Sequence, residues 1–240
     1  MAIELSIVQQ RGTIFISKFL GYSPEIAAKY GDLLTGAKAI PVPVPSPFGI
    51  PMQPEALQPG GTWQLVRGGV RVVFSPNRVD VFKDWISPRH VNEEKEFVSM
   101  CSDIFERILI RENVTASRVA YSPAFARDKD ITFSDGIVWS CLLKKTSFAG
   151  LEPLEVSVIR NYRVTKVFKD KEYLFNFRTS FGSANHSLPD GTVATGSVLV
   201  NFDINSIPDK DYAFTPEVLK WFFESSLDYS DALYDNFLNN

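Results

Sequence analysis

The stretch EVSVIRNYRVTKVFKDKEYLFNFRTSF, Glu155–Phe181, decides the fold class. Its first part, Glu155–Phe168, is rich in β-branched residues. Its second, Tyr173–Phe181, sets Tyr173, Phe175, Phe177 and Phe181 on one side at period two. Lys169-Asp170-Lys171 joins them, a link short enough only for an antiparallel hairpin. One face of such a hairpin is expected to pack on a core and the other to meet water. Downstream, a polar loop around Asn185-His186-Ser187 and a turn at Asp190-Gly191 lead to a third predicted strand, Val193–Ile204. A helix then starts with Thr215 as cap, Pro216 at its first position and Glu217 at its positive end, and runs to about Leu238.

Upstream of the hairpin the same grammar occurs once more. Ile3–Phe19 reads as strand, and Ser23-Pro24 opens a short helix through about Leu34. A meander follows, Trp63–Val66, Val70–Phe74 and Val79–Phe82, with turns at Arg67-Gly68-Gly69 and Ser75-Pro76-Asn77. Glu93–Arg111 then carries Phe97, Met100, Cys101, Ile104, Phe105, Ile108 and Leu109 at helical spacing. The second half opens with a strand at Arg118–Tyr121 and a short helix at Ser134–Lys144. Tyr22-Ser23-Pro24 and Tyr121-Ser122-Pro123 mark corresponding places in the two halves. The predicted class is therefore α+β: antiparallel sheet with helices packed on one face, in two similar β-α-β-β-β-α units, 1–115 and 116–240. A single continuous domain is the alternative.

The chain has 240 residues, enough to bury a core without disulfides or metal. Its 25 basic and 28 acidic residues leave a formal charge of −3, which speaks against the whole molecule acting as a polyanion binder. Nineteen Phe against three Met point to a core filled by rigid rings. Two cysteines, Cys101 and Cys141, are too few for a disulfide framework, and both lie in apolar helical patterns. The opening residues MAIELSIVQQRG lack a basic leader region, and no apolar run reaches the length of a membrane span. These features together predict a cytoplasmic protein with no membrane association.

The Trp63-Gln64-Leu65 strand opening the meander, the Asn77–Phe82 strand before an Arg/Glu-bearing helix, and the Val198–Ile204 strand before an aromatic C-terminal helix form one layout. In that layout the chain resembles a sporadically distributed family of uncharacterised bacterial proteins of about this length. The resemblance implies association with mobile or defence-type systems. It supplies no residue roles.

Chemistry is sparse. The sequence has no G-x-x-x-x-G-K-[ST], no G-x-G-x-x-G and no G-x-S-x-G. Its two histidines, His90 and His186, have no second His or Cys at ligand spacing, so neither a metal nor a cofactor is expected. His186 with Asp190 near it has the makings of a general base, although an exposed loop residue explains it as well. Asp203, Asp209 and Asp211 cluster before the last helix, and Asp128, Asp130 and Asp135 cluster earlier, both in ordinary turn and capping chemistry.

Two stretches remain. Between Ser157 and Phe181, Arg160, Arg163, Lys166, Lys169, Lys171 and Arg178 face only Asp170 and Glu172, a basic hairpin of the kind that holds single-stranded nucleic acid. The acid-rich stretch from Asp203 to the end is its electrostatic complement within the chain. Pro41–Pro59 has seven prolines in 19 residues, interspersed with Phe48, Ile50, Met52 and Leu57. Such a segment is expected to lie ordered against the sheet edge or against a protein partner or second copy, not to act as a linker. The functional expectation is a non-catalytic binding or scaffold subunit of a protein assembly. The alternative is a nucleic-acid-contacting accessory protein using the basic hairpin.

Overall fold

A computed structural model describes residues 6–42, 57–84, 91–127, 157–187, 193–208 and 210–239. Among these residues nine strands form one sheet: β1 (Ser6–Ile16), β2 (Lys38–Pro41), β3 (Trp63–Arg67), β4 (Val70–Ser75), β5 (Arg78–Asp84), β6 (Ala116–Arg127), β7 (Ser157–Phe168), β8 (Lys171–Ser187) and β9 (Val193–Ser206). Three described helices accompany them: α1 (Pro24–Tyr30), α2 (Val91–Glu112) and α3 (Pro216–Asn239). The protein is α+β with an antiparallel sheet, as its sequence predicts.

The strand order is β2-β3-β4-β5-β1-β6-β9-β8-β7. Its seam is the β1–β6 pair, and each half of the chain adds its meander outward from there in reverse chain order. Both long helices lie over this seam on one face. A side chain at Gly12 in β1 would meet Cys101 and Phe105 of α2 and Phe223 of α3. Phe105 and Phe223 stack with ring centres 5.6 Å apart, and Tyr121 of β6 meets Phe223 edge-on.

Aromatic rings fill the space between sheet and helices, because they bring the largest apolar area per residue. Trp63 stacks on Phe74 at 4.2 Å, and its indole N–H donates to the Leu20 carbonyl, so burial leaves no orphaned donor. In the second half, Tyr173 and Phe175 of β8 meet Trp221 of α3, and Phe175 meets Phe222. Tyr173, Phe175 and Phe177 of the hairpin's period-two pattern thus lie on the inner face of the sheet.

Several expectations need correction. The segment Asn185-His186-Ser187 is not a loop: β8 continues to Ser187, and His186 pairs with Ala194 of β9. Pairing with a neighbouring strand overrides a composition that locally favours turns. β6 likewise runs to Arg127, with Pro123 in the interior of a central strand. A register irregularity on the β1 side, between Ile7 and Gln9, stands beside it. Bulges are where sheets tolerate proline. The two Tyr-Ser-Pro triplets are structurally different: Ser23 caps α1 by accepting from the Ile26 N–H, whereas Ser122 lies within β6. α1 ends at Tyr30, earlier than the pattern suggests, and β2 has no prediction behind it. The expected helix at Ser134–Lys144 lies outside the described residues.

Candidate binding face

Two short patterns build the centre of the sheet's other face. β1 contains Arg11-Gly12-Thr13-Ile14-Phe15, and β5 contains Arg78-Val79-Asp80-Val81-Phe82. Each reads R-x-[TD]-x-F, so Arg, the central polar residue and Phe point to one side and the intervening residues to the other. Gly12, Ile14, Val79 and Val81 face the helices. The strands are antiparallel, with Arg11 opposite Phe82, Thr13 opposite Asp80 and Phe15 opposite Arg78. The pattern is therefore self-complementary.

Neighbouring strands complete it. Arg118 of β6 stands opposite Phe15 on its other flank, and Arg71 of β4 stands opposite Phe82. Each ring is thus bracketed by two guanidinium groups. Arg78 and Arg118 lie 5.4 and 4.8 Å from the Phe15 centroid, and Arg11 and Arg71 lie 5.4 and 4.9 Å from that of Phe82. Cation–π attraction and the fixed strand spacing hold these planar groups in place.

Asp80 ties the centre together. Thr13 Oγ1 donates to its Oδ1 at 2.6 Å and Arg11 Nε at 2.9 Å, while Arg78 Nε lies 2.7 Å from Oδ2. Its residue is only 4% exposed. Burial pushes its carboxyl above the usual range, against the pull of Arg11 and Thr13. Asp84 accepts from Gln9 at 2.8 Å and pairs with Arg71 at 3.0 Å. Among the described residues no carboxylate pairs with Arg118.

Across the seam the same face turns to small and amide side chains. Ala120, Ser122 and Ala124 follow along β6. Ser122 donates to Asp203 Oδ1 and Asn205 to its Oδ2, both at 3.1 Å, and Asn176 donates to Asn205 at 3.3 Å. Arg178 stands opposite Asp203, and Arg163 opposite Asn176. Arginines at 11, 71, 78, 118, 163 and 178 thus share this face, from β4 to the edge strand β7, with carboxylates at 80, 84, 172 and 203.

The pleat divides the basic hairpin. Arg163 and Arg178 lie on the face away from the described helices, while Arg160 and Lys166 point to the helix side of β7. Lys166 sits 4.4 Å over the Tyr229 ring of α3, Lys171 sits 5.4 Å over Tyr173, and Lys169 at the turn pairs with Glu217 at 2.6 Å. Part of the complementarity expected within the chain is thus met by contacts to α3.

Of the apolar positions in the proline-rich segment, Leu57 is half-buried against the core, and Phe48, Ile50 and Met52 lie outside the described residues. So do His90, Cys141, Asp128, Asp130, Asp135 and Asp209. Asp211 is exposed before α3. Cys101 is fully buried, which pushes its thiol well above its ordinary value and keeps it unreactive. Among the described residues no group of three or more His, Cys, Asp or Glu could hold a metal ion. No described helix is long and apolar enough to cross a membrane.

A cavity of about 900 Å³ is an open groove between α2 and α3. Its rim carries Asp103, Glu106, Glu217, Glu224 and Asp228 with Lys95 and Lys220, the polar faces of two amphipathic helices. Among the described residues, the groove between the helices is thus rimmed mainly by carboxylates, while arginines outnumber carboxylates on the other face of the sheet. Neither a protein-family model nor a curated protein matches this chain.

Proposed function

We propose that the protein is a non-catalytic binding subunit of a larger assembly whose recognition surface is the open face of the sheet. One observation carries this reading: four arginines and two phenylalanines are fixed in a lattice on a face against which none of the three described helices packs. Guanidinium groups and rings held in place before binding lose little freedom on association, and Arg and aromatic residues dominate the energy of interfaces. The described residues on that face offer no nucleophile–base pair, and their polar atoms are engaged mainly with one another. The face is equipped for recognition.

Cross-linking on the protein purified with its native companions tests this. Cross-links from the companion should concentrate on β4, β5, β1 and β6, and Arg71→Glu with Arg118→Glu should release it while α2 and α3 stay folded. Companion cross-links confined to the outer faces of α2 and α3 would overturn the reading. The alternative of a nucleic-acid site on the hairpin has less support, since its six cations divide between two faces and three of them are engaged by Glu217, Tyr229 and Tyr173.

A further inference from the structure

We propose that the open face across β4, β5, β1 and β6 binds single-stranded nucleic acid, with its arginines taking both phosphates and bases. This rests on reading that face as the recognition surface and names its ligand class. Three features converge on it.

The first is planarity. Arg118 lies over the Phe15 ring and Arg71 over Phe82, so each guanidinium has one side against an aromatic ring. Unpaired bases stack on guanidinium planes as they do on aromatic rings, and an antiparallel sheet face is a common platform for it. A carboxylate chain has no planar ring to exploit this arrangement.

The second is spacing. Arg78 and Arg118 lie in one row across the strands, and Arg71 and Arg11 in another. The rows are four residues apart along β1 and β5, about 13 Å. Thr13 and Asp80 lie between them, tied together and largely buried. Two rows of arginines this far apart suit a strand whose charges repeat. On the far side of the seam, Ser122, Asn176 and Asn205 form a hydrogen-bonded group around Asp203, so a base edge there would have to compete with those bonds.

The third is the segregation of charge. The chain is acidic overall, and among the described residues carboxylates crowd α2 and α3, at Glu106, Glu217, Glu224 and Asp228 among others. The arginine surplus faces the opposite way. A polyanion approaching such a molecule is steered to the sheet and away from the helices.

Fluorescence anisotropy with labelled oligo-uridylate and oligo-thymidylate in low salt tests the proposal on the full chain. Binding should weaken as salt rises, in proportion to the phosphates engaged. Arg118→Ala removes a group with no described carboxylate partner, so the fold should persist and affinity should fall about tenfold, an effect of the size of one lost stacking contact. Arg160→Ala with Lys166→Ala, on the helix side, should weaken binding less than Arg118→Ala does, and the difference should persist as salt screens long-range charge effects. Several outcomes overturn the proposal. One is no oligonucleotide binding at low salt by folded wild type. Another is binding abolished by the hairpin pair but untouched by Arg118→Ala. A third is preferential binding of polyglutamate at the same arginines, which would leave the open face as a recognition surface for acidic protein. Failure of the reading beneath is distinguished by the cross-linking result, which does not depend on the ligand being nucleic acid.

Discussion

Gly12 of β1 stands directly opposite Tyr121 of β6 at the seam of the sheet, where both long helices come close to the strand. A Cβ at Gly12 would lie 2.9 Å from the sulfur of Cys101 and 3.2 Å from the rings of Phe105 and Phe223. Both long helices therefore depend on the absence of one methyl group. Gly12→Ala should destabilise the protein by about 1–3 kcal/mol through overpacking. Chemical denaturation reads this as a lower midpoint at unchanged slope, and an unaltered midpoint would show that the helices can shift to make room.

Phe105 is fully buried where α2 meets α3 and β1. Phe105→Ala should cost about 3–5 kcal/mol, since close-packed surroundings collapse only partly into the space left behind. The thermal midpoint should fall by several degrees. A shift below a couple of degrees would mean that the cluster reorganises around the loss.

Beneath the seam, the Gln10 amide donates to the Tyr121 hydroxyl at 2.7 Å, with both residues fully buried. Burial and the charge of Glu94 push the Tyr121 hydroxyl far above its ordinary value, so it stays neutral at all physiological pH. Tyr121→Phe strands the Gln10 donor and should cost about 1–3 kcal/mol. Adding Gln10→Met to it should recover most of that loss, because removing both partners leaves nothing unsatisfied. A double variant no better than the single one would show that the pair contributes by shape and not by its hydrogen bond.

The junction of α1 with α2 makes stability depend on acid. Arg111 and Arg107 hold the Asp32 carboxyl well below the usual carboxylate range. Burial works against Glu112, but Lys29 and the Tyr30 hydroxyl outweigh it and keep that carboxyl low as well. A folded pKa below the unfolded one stabilises at neutral pH, and the contribution is lost as pH falls through and below about 4. Because Asp32 is largely exposed, its share is at most about 1 kcal/mol. Asp32→Asn should lower stability near neutrality yet flatten the decline between about pH 5 and pH 2. Urea midpoints measured across that range would refute the linkage by showing parallel curves for the two proteins.

The inner half of the fold is legible in the sequence. Period-two rings at Tyr173, Phe175 and Phe177 and the helical stripe from Phe97 to Leu109 are local patterns, and nearly all of these side chains are buried. Ser23 and Thr215 cap their helices as their residue types suggest, because a cap is satisfied by atoms three positions away. Residues within one turn or one hairpin carry their own instructions.

The open face is not legible in the same way. R-x-T-x-F at Arg11 and R-x-D-x-F at Arg78 each look like the solvated side of an ordinary strand. Their meaning depends on register: had β5 slipped by two residues along β1, Arg would no longer meet Phe and Thr13 would lose Asp80. The hairpin cations show the converse, since residues close in sequence and alike in charge are divided by the pleat and some are drawn to α3. Composition and local period, set by backbone geometry, determined most of the strands and helices and which of their faces is core, though not β2 or the far ends of β6 and β8. Pairing between segments nearly 70 residues apart decided which side chains share a surface, because only the burial of the inner face fixes how distant strands align.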